Sequence, residues 1–177
     1  DSNIKLYPTQ EEANLDLKNG RLDYVIADKL ALNDFVSGQG KDCCKFVADI
    51  KREGTDVSLI AHGRAVITAL KAAEILAAEH GIHAEVLDLR SIRPLDEEAI
   101  MKTVCKTHRA VLVDENKPFC GVSAQISSMI MEQCFDELDA PVQRVCALDA
   151  PAIYSPALEP IQLPTVQRII AKTLQIL

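Results

Sequence analysis

The sequence predicts an α/β fold of three layers, αβα, around a mostly parallel sheet, and three observations carry that prediction. From residue 57 onward, short apolar runs alternate with segments of ten or more residues at helical spacing, which is the pattern of βαβ units. The runs are mostly apolar without strict alternation, as strands covered on both faces are. The chain has 177 residues, 48% of them hydrophobic and 25% charged, enough to bury well over half of its unfolded surface without disulfide or metal staples.

Taken in order, residues 4–7 read as a short strand and Pro8 starts a helix in which Thr9 caps and Glu12 reaches back. That helix runs to Lys18, and Asn19-Gly20 supplies its left-handed stop. Residues 22–27 (LDYVIA) form a strand that delivers Asp28 at its carboxyl end, residues 29–36 a helix, and residues 37–40 a turn. The next strand is 57–61 (VSLIA), followed by a helix over 64–80 that Gly81 ends. A strand at 84–89 (AEVLDL) and a helix capped by Asp96 and running to about Lys106 come next. A strand at 110–113, a helix at 123–135, a strand at 142–146 and a last helix at 165–176 complete the order. Pro151, Pro156, Pro160 and Pro164 predict an extended surface segment over the proline-rich stretch 141–164.

Charge and composition exclude several classes. A formal charge of −7 with 19 Lys+Arg against 26 Asp+Glu argues against nucleic-acid binding. No apolar run approaches the roughly 18 residues of a membrane helix, and the first residues carry no signal-peptide core. The six cysteines lack a CxxC pair, and Cys43-Cys44 are adjacent. That reads as reduced, mostly packed thiols in a cytoplasmic compartment.

Resemblances divide the chain. Residues 52–66 (REGTDVSLIAHGRAV), 84–96 (AEVLDLRSIRPLD) and 138–142 (LDAPV) resemble the C-terminal, transketolase-type domain of the beta subunit of pyruvate dehydrogenase and related 2-oxo acid dehydrogenases. The resemblance covers residues 48–177. Residues 1–47, by contrast, resemble part of the second lobe of periplasmic polar amino-acid-binding proteins through residues 7–13 (YPTQEEA), 16–23 (DLKNGRLD) and 25–28 (VIAD). A joint near residues 47–51 without a linker reads as a chimera, with a β-α-β segment added to the sheet of the larger domain.

The candidate chemistry is sparse. In the binding-protein resemblance Asp28 holds a ligand amino group and Gln10 lies beside the cleft; the structural alternative is that Asp28 caps the next helix. His80 and His83 flank a helix-ending glycine and do not share a face, so no metal site is expected. His62 stands at a strand-to-helix corner, where a general base would need a nucleophile that the sequence does not name, and local hydrogen bonding is the expected role. Residues 121–125 (GVSAQ) imitate a nucleophile elbow but carry Gln125 in place of the last glycine. No phosphate-binding glycine motif occurs, nor the acidic Gly-Asp-Gly run that holds magnesium and diphosphate in thiamine diphosphate enzymes. The cofactor expectation is therefore none in this chain, with thiamine diphosphate and magnesium in the full enzyme that it resembles.

What the larger resemblance implies is assembly: an alpha subunit, the subunit-binding domain of an acyltransferase, and a second copy of the chain. The apolar residues Ile153, Tyr154, Leu158, Ile161 and Leu163 in the proline-rich stretch, with Leu138 just before it and Leu177 at the end of the last helix, are the expected partner interface. For that last helix, core packing is the competing role. The other function class left open is an amino-acid-binding module built on Asp28 and Gln10.

Overall fold

The computed structural model describes residues 6–22, 25, 32, 35–36, 38–40, 44 and 48–177. It divides the chain into two compact units, Asp1–Phe46 and Val47–Leu177. The strand expected at 22–27, the helix at 29–36 and the candidate Asp28 lie outside the described residues, or nearly so.

In the first unit, Thr9 accepts a hydrogen bond from the Glu12 backbone N–H and opens α1 (Gln10–Lys18). The helix stops at Asn19, and Gly20 takes φ +68°, a left-handed conformation that glycine adopts without a Cβ clash. Asp16 gathers the segment: its carboxylate accepts from the Tyr7 hydroxyl at 2.7 Å and from Arg21 Nη1 at 3.2 Å.

The second unit is a five-stranded sheet. Its strands are β1 (Asp49–Arg52), β2 (Val57–Ala61), β3 (Ala84–Asp88), β4 (Ala110–Asp114) and β5 (Gln143–Cys146), in spatial order β1-β3-β2-β4-β5. All pairings are parallel except β1 with β3. Sequence reading assigned no antiparallel edge; β1 is that edge, and a bulge between Ile50 and Arg52 interrupts its ladder.

Strand alternation divides the core into two layers. Val57, Leu59 and Ala61 of β2, with Val86, Val111, Val113 and Val145, face α2 (Ala65–His80) and α6 (Val166–Leu174). Ile60, Leu87 and Leu112 face α3 (Glu97–Thr107) and α4 (Val122–Cys134). With both faces covered, β2 and β4 are buried at every position, which explains their largely apolar sequences. The last helix packs on the first of these layers through Ile169 and Thr173, which are buried.

Two local features hold these layers in register. Gly54 admits the β1–β2 turn against β3, because a Cβ there would lie 2.3 Å from the Ala84 carbonyl carbon and the Glu85 nitrogen. Glu85, fully buried on β3, accepts from the Thr103 hydroxyl and from Lys106, while Ser58 bonds to Thr103 and Thr107. A buried carboxylate is tolerated because it is paired and hydrogen-bonded.

The proline-rich stretch departs from expectation. A short helix, α5 (Glu159–Gln162), interrupts it, and Gln162 is buried. Its Nε2 donates to the carbonyls of Ala150 and Pro151, and its Oε1 accepts from the Ile153 N–H. One amide thus anchors a segment that its prolines alone would leave extended.

Candidate functional site

Parallel sheets gather ligand-facing groups at the carboxyl ends of their strands, above all where consecutive crossovers leave on opposite faces. That point lies between β2 and β4, whose following helices α2 and α4 belong to different layers. The residues emerging there are His62, after β2, and Asp114, the last of β4.

Asp114 is 1% exposed and organises the corner. Its Oδ1 accepts from the Asn116 backbone N–H at 2.9 Å and from Asn116 Nδ2 at 3.0 Å; its Oδ2 accepts from the Ser123 N–H at 2.9 Å. His62 Nε2 stands 3.5 Å from Oδ1, an ion-pair distance and longer than a good hydrogen bond. Burial alone would raise the Asp114 pKa. The His62 contact and the N–H groups of Asn116 and Ser123 outweigh it and hold the carboxyl far below its ordinary range. His62 shifts upward, chiefly through Asp114 and against partial burial.

This arrangement is not a nucleophile relay. In such a relay the histidine lies between nucleophile and acid, whereas here the aspartate lies between His62 and Ser123. Ser123 is buried; its Oγ accepts from Arg144 Nε at 3.2 Å and lies 3.4 Å from Cys146 Sγ. The left-handed residue in this loop is Cys120, φ +54°, three positions before the serine. Ser123 and the Asp114 carboxylate together dock the first turn of α4 and close the 115–121 loop, and at Gly121 a Cβ would lie 2.5 Å from the Lys117 carbonyl oxygen.

Beside this corner, the 115–121 loop and the 147–163 segment border an open cleft of about 580 Å³. Asn116, Lys117, Phe119, Gln162 and Leu163 line it. Phe119 is 82% exposed.

The other sequence candidates are dispersed. Gln10 donates to Asn14 Oδ1 at 2.8 Å within α1. His80 and His83 are both exposed, on either side of Gly81 at φ +68°. Tyr154, Ile161, Leu158 and Leu177 are exposed, while Ile153 and Leu163 are half-buried. Among the described residues no three His, Cys, Asp or Glu side chains are grouped to hold a metal ion. No described helix is long and apolar enough to cross a membrane. Sequence reasoning missed Asp114 and Gln162. The rule that singled out Asp28, a carboxylate ending an apolar strand, applies equally to Asp114.

Compared with known proteins, residues 47–169 match the family model for the transketolase C-terminal domain. The chain belongs to that family. It is 48% identical over 130 residues to the beta subunit of acetoin:2,6-dichlorophenolindophenol oxidoreductase of Bacillus subtilis, covering 73% of this chain and 38% of that protein. It is 46% identical over 133 residues to the mitochondrial pyruvate dehydrogenase E1 beta subunit of Saccharomyces cerevisiae, covering 75% and 36%. The Drosophila melanogaster counterpart is 46% identical over 155 residues, 87% of this chain and 40% of that protein. The chain thus spans well under half the length of these relatives. A solved split-gene transketolase, described as an inactive beta4 tetramer, superposes with a TM-score of 0.65 at 27% identity, covering 73% of this chain and 42% of that one.

These matches bear on the N-terminal segment. The Drosophila match covers more of the chain than residues 48–177 contain, so it enters the first 47 residues. Neither the family model nor these relatives lends support to the amino-acid-binding resemblance or to a chimera.

Proposed function

We propose that this chain is an assembly domain of a thiamine-dependent 2-oxo acid dehydrogenase beta subunit, of the pyruvate dehydrogenase type, and performs no chemistry by itself. The observation that carries the reading is the exposed apolar rim of the 148–161 segment. Tyr154 is 96% exposed and Ile161 61%, on a backbone that Gln162 holds in place. Large apolar side chains on a fixed segment form a docking surface at little ordering cost. The corner at Asp114 complements this, since the Asp114 carboxylate is occupied by the Asn116 and Ser123 N–H groups of its own fold. The partners are a second copy of the chain, an alpha subunit and the acyltransferase's subunit-binding domain. The division into residues 1–47 and 48–177 is proposed because the family match begins at residue 47 and the chain divides into compact units between Phe46 and Val47.

The chemical half of the proposal is tested by assaying the purified chain for 2-oxo acid decarboxylation with added thiamine diphosphate and magnesium. No turnover is expected, and turnover by the chain alone would overturn it.

A further inference from the structure

Six cysteines in one chain of this composition read as packing residues, yet two of them meet. Cys105, exposed near the end of α3, places its Sγ 3.5 Å from that of Cys134, which is buried at the end of α4. We propose that Cys105 and Cys134 are an oxidation site, a thiol pair that closes reversibly to a disulfide and ties the ends of α3 and α4 together.

Geometry and access both support the pair. A disulfide needs the sulfurs at about 2.05 Å, so they must approach by a distance that side-chain rotation and small helix-end shifts supply. Both residues sit where such shifts are available. Cys105 is two residues from the end of α3, and Cys134, at φ −131° and ψ 20°, has already left helical geometry as α4 passes into a 3-10 turn at Phe135–Glu137. The neighbourhood is already a seam between the two elements: His108 Nδ1 contacts the Glu137 carbonyl at 2.8 Å, and Arg109 pairs with Asp139 at 2.9 Å. The Cys134 thiol also donates to Met101 Sδ at 3.1 Å, one turn before Cys105 on α3. Burial and the adjacent Cys105 push the Cys134 thiol up to about 11. The exposed sulfur is therefore the one that reacts first, and ring closure is faster in mildly alkaline solution.

The oxidant is a small-molecule disulfide, for which oxidised glutathione is the probe. The Cys105 thiolate attacks one glutathione sulfur, breaking the glutathione disulfide and releasing a glutathione thiolate. Cys134, as its thiolate, then attacks Cys105 Sγ; the protein S–S bond forms and the second glutathione thiolate leaves. The two protons lost by the protein thiols are taken up by the two released glutathione thiolates, so two cysteines are oxidised and one glutathione disulfide is reduced.

The experiment equilibrates the purified 177-residue chain, carrying Cys120→Ser, at pH 8 over ratios of oxidised to reduced glutathione. Remaining thiols are then alkylated, and tryptic peptides are analysed by mass spectrometry. Cleavage isolates Cys105 in peptide 103–106 and Cys134 in peptide 110–144, because Lys117 precedes Pro118. The expected result is a cross-link of these two peptides that reduction reverses, together with a melting temperature raised by roughly 5 to 10 °C from closing a loop of this length. Cys105→Ser, an exposed and conservative change, abolishes both. A glutathione adduct at Cys105 that never resolves to the cross-link, a partner other than Cys134, or a melting shift that survives Cys105→Ser would each overturn the proposal.

Discussion

Replacing Asp114 with Asn removes a charge from the carboxyl edge of the sheet while preserving shape, so its cost reports what the carboxylate holds together. The amide keeps one acceptor oxygen. Its NH₂ group must then face either the Asn116 or the Ser123 N–H, each now 2.9 Å from an oxygen. One charge-assisted hydrogen bond is lost and a buried N–H is left opposite a donor. At about 1.5–3 kcal/mol for a bond to a charged group, together with the lost attraction to His62, the expected destabilisation is roughly 3 kcal/mol, or on the order of 10 °C in melting temperature for a unit of this size. The chain has no tryptophan, so urea unfolding followed by far-UV circular dichroism is the suitable assay, with the slope expected unchanged.

Dependence on pH separates the ion pair from the hydrogen bonds. The folded-state pKa of His62 lies above its ordinary 6.5, so the pair's contribution is full below that value and is lost as pH rises through the shifted one. The Asp114 pKa is lowered from 3.8, so its contribution is present above 3.8 and is lost as pH falls towards the depressed value. The Asn substitution should therefore cost most between about pH 4.5 and 6.5 and progressively less above. A cost below about 1 kcal/mol at pH 6, or one that grows from pH 6 to pH 9, would refute the reasoning.

Three further outcomes follow from the packing. Gly54→Ala should destabilise by roughly 3 kcal/mol or more, since its Cβ must displace the β3 backbone; a urea midpoint within error of the parent would contradict this. Gln162→Ala should leave the Ile153 N–H and two carbonyls without their partner and cost about 2 kcal/mol. Amide exchange should rise locally over residues 148–163, and unchanged protection at Ile153 would count against the anchor. Lys106→Met should cost roughly 3 kcal/mol by leaving Glu85 without its cation, and the double variant with Glu85→Gln should recover most of it.

Much of the architecture was legible because β2, β3 and β4 are short, predominantly apolar runs and most of the helices between them carry a marked end. Asp96 accepts from the Ala99 N–H as expected of a cap, and Gly81 supplies the left-handed stop of α2. The stop of α3 was harder to read, since His108 adopts φ +58° where glycine is usual. Strand β1 escaped because a four-residue edge with two exposed positions carries little apolar periodicity. The segment over 141–164 was misjudged for a different reason: proline content reports local stiffness, whereas the fold of the segment depends on a hydrogen-bonding hub at Gln162, which no local pattern announces. The corner at Asp114 was only half legible. His62 was singled out with local hydrogen bonding as its role, but its partner is 52 positions away, and only the β2–β4 pairing brings the two together.

The assembly reading is tested most directly by multi-angle light scattering of the chain across a dilution series, beside the Tyr154→Ser, Ile161→Ser double variant. The account predicts a homodimer at micromolar concentration that salt barely weakens, because the contact is apolar, and a shift of the variant towards monomer. A mass near the 19.4 kDa of one chain at every concentration, or a variant that dimerises as well as the parent, would contradict it.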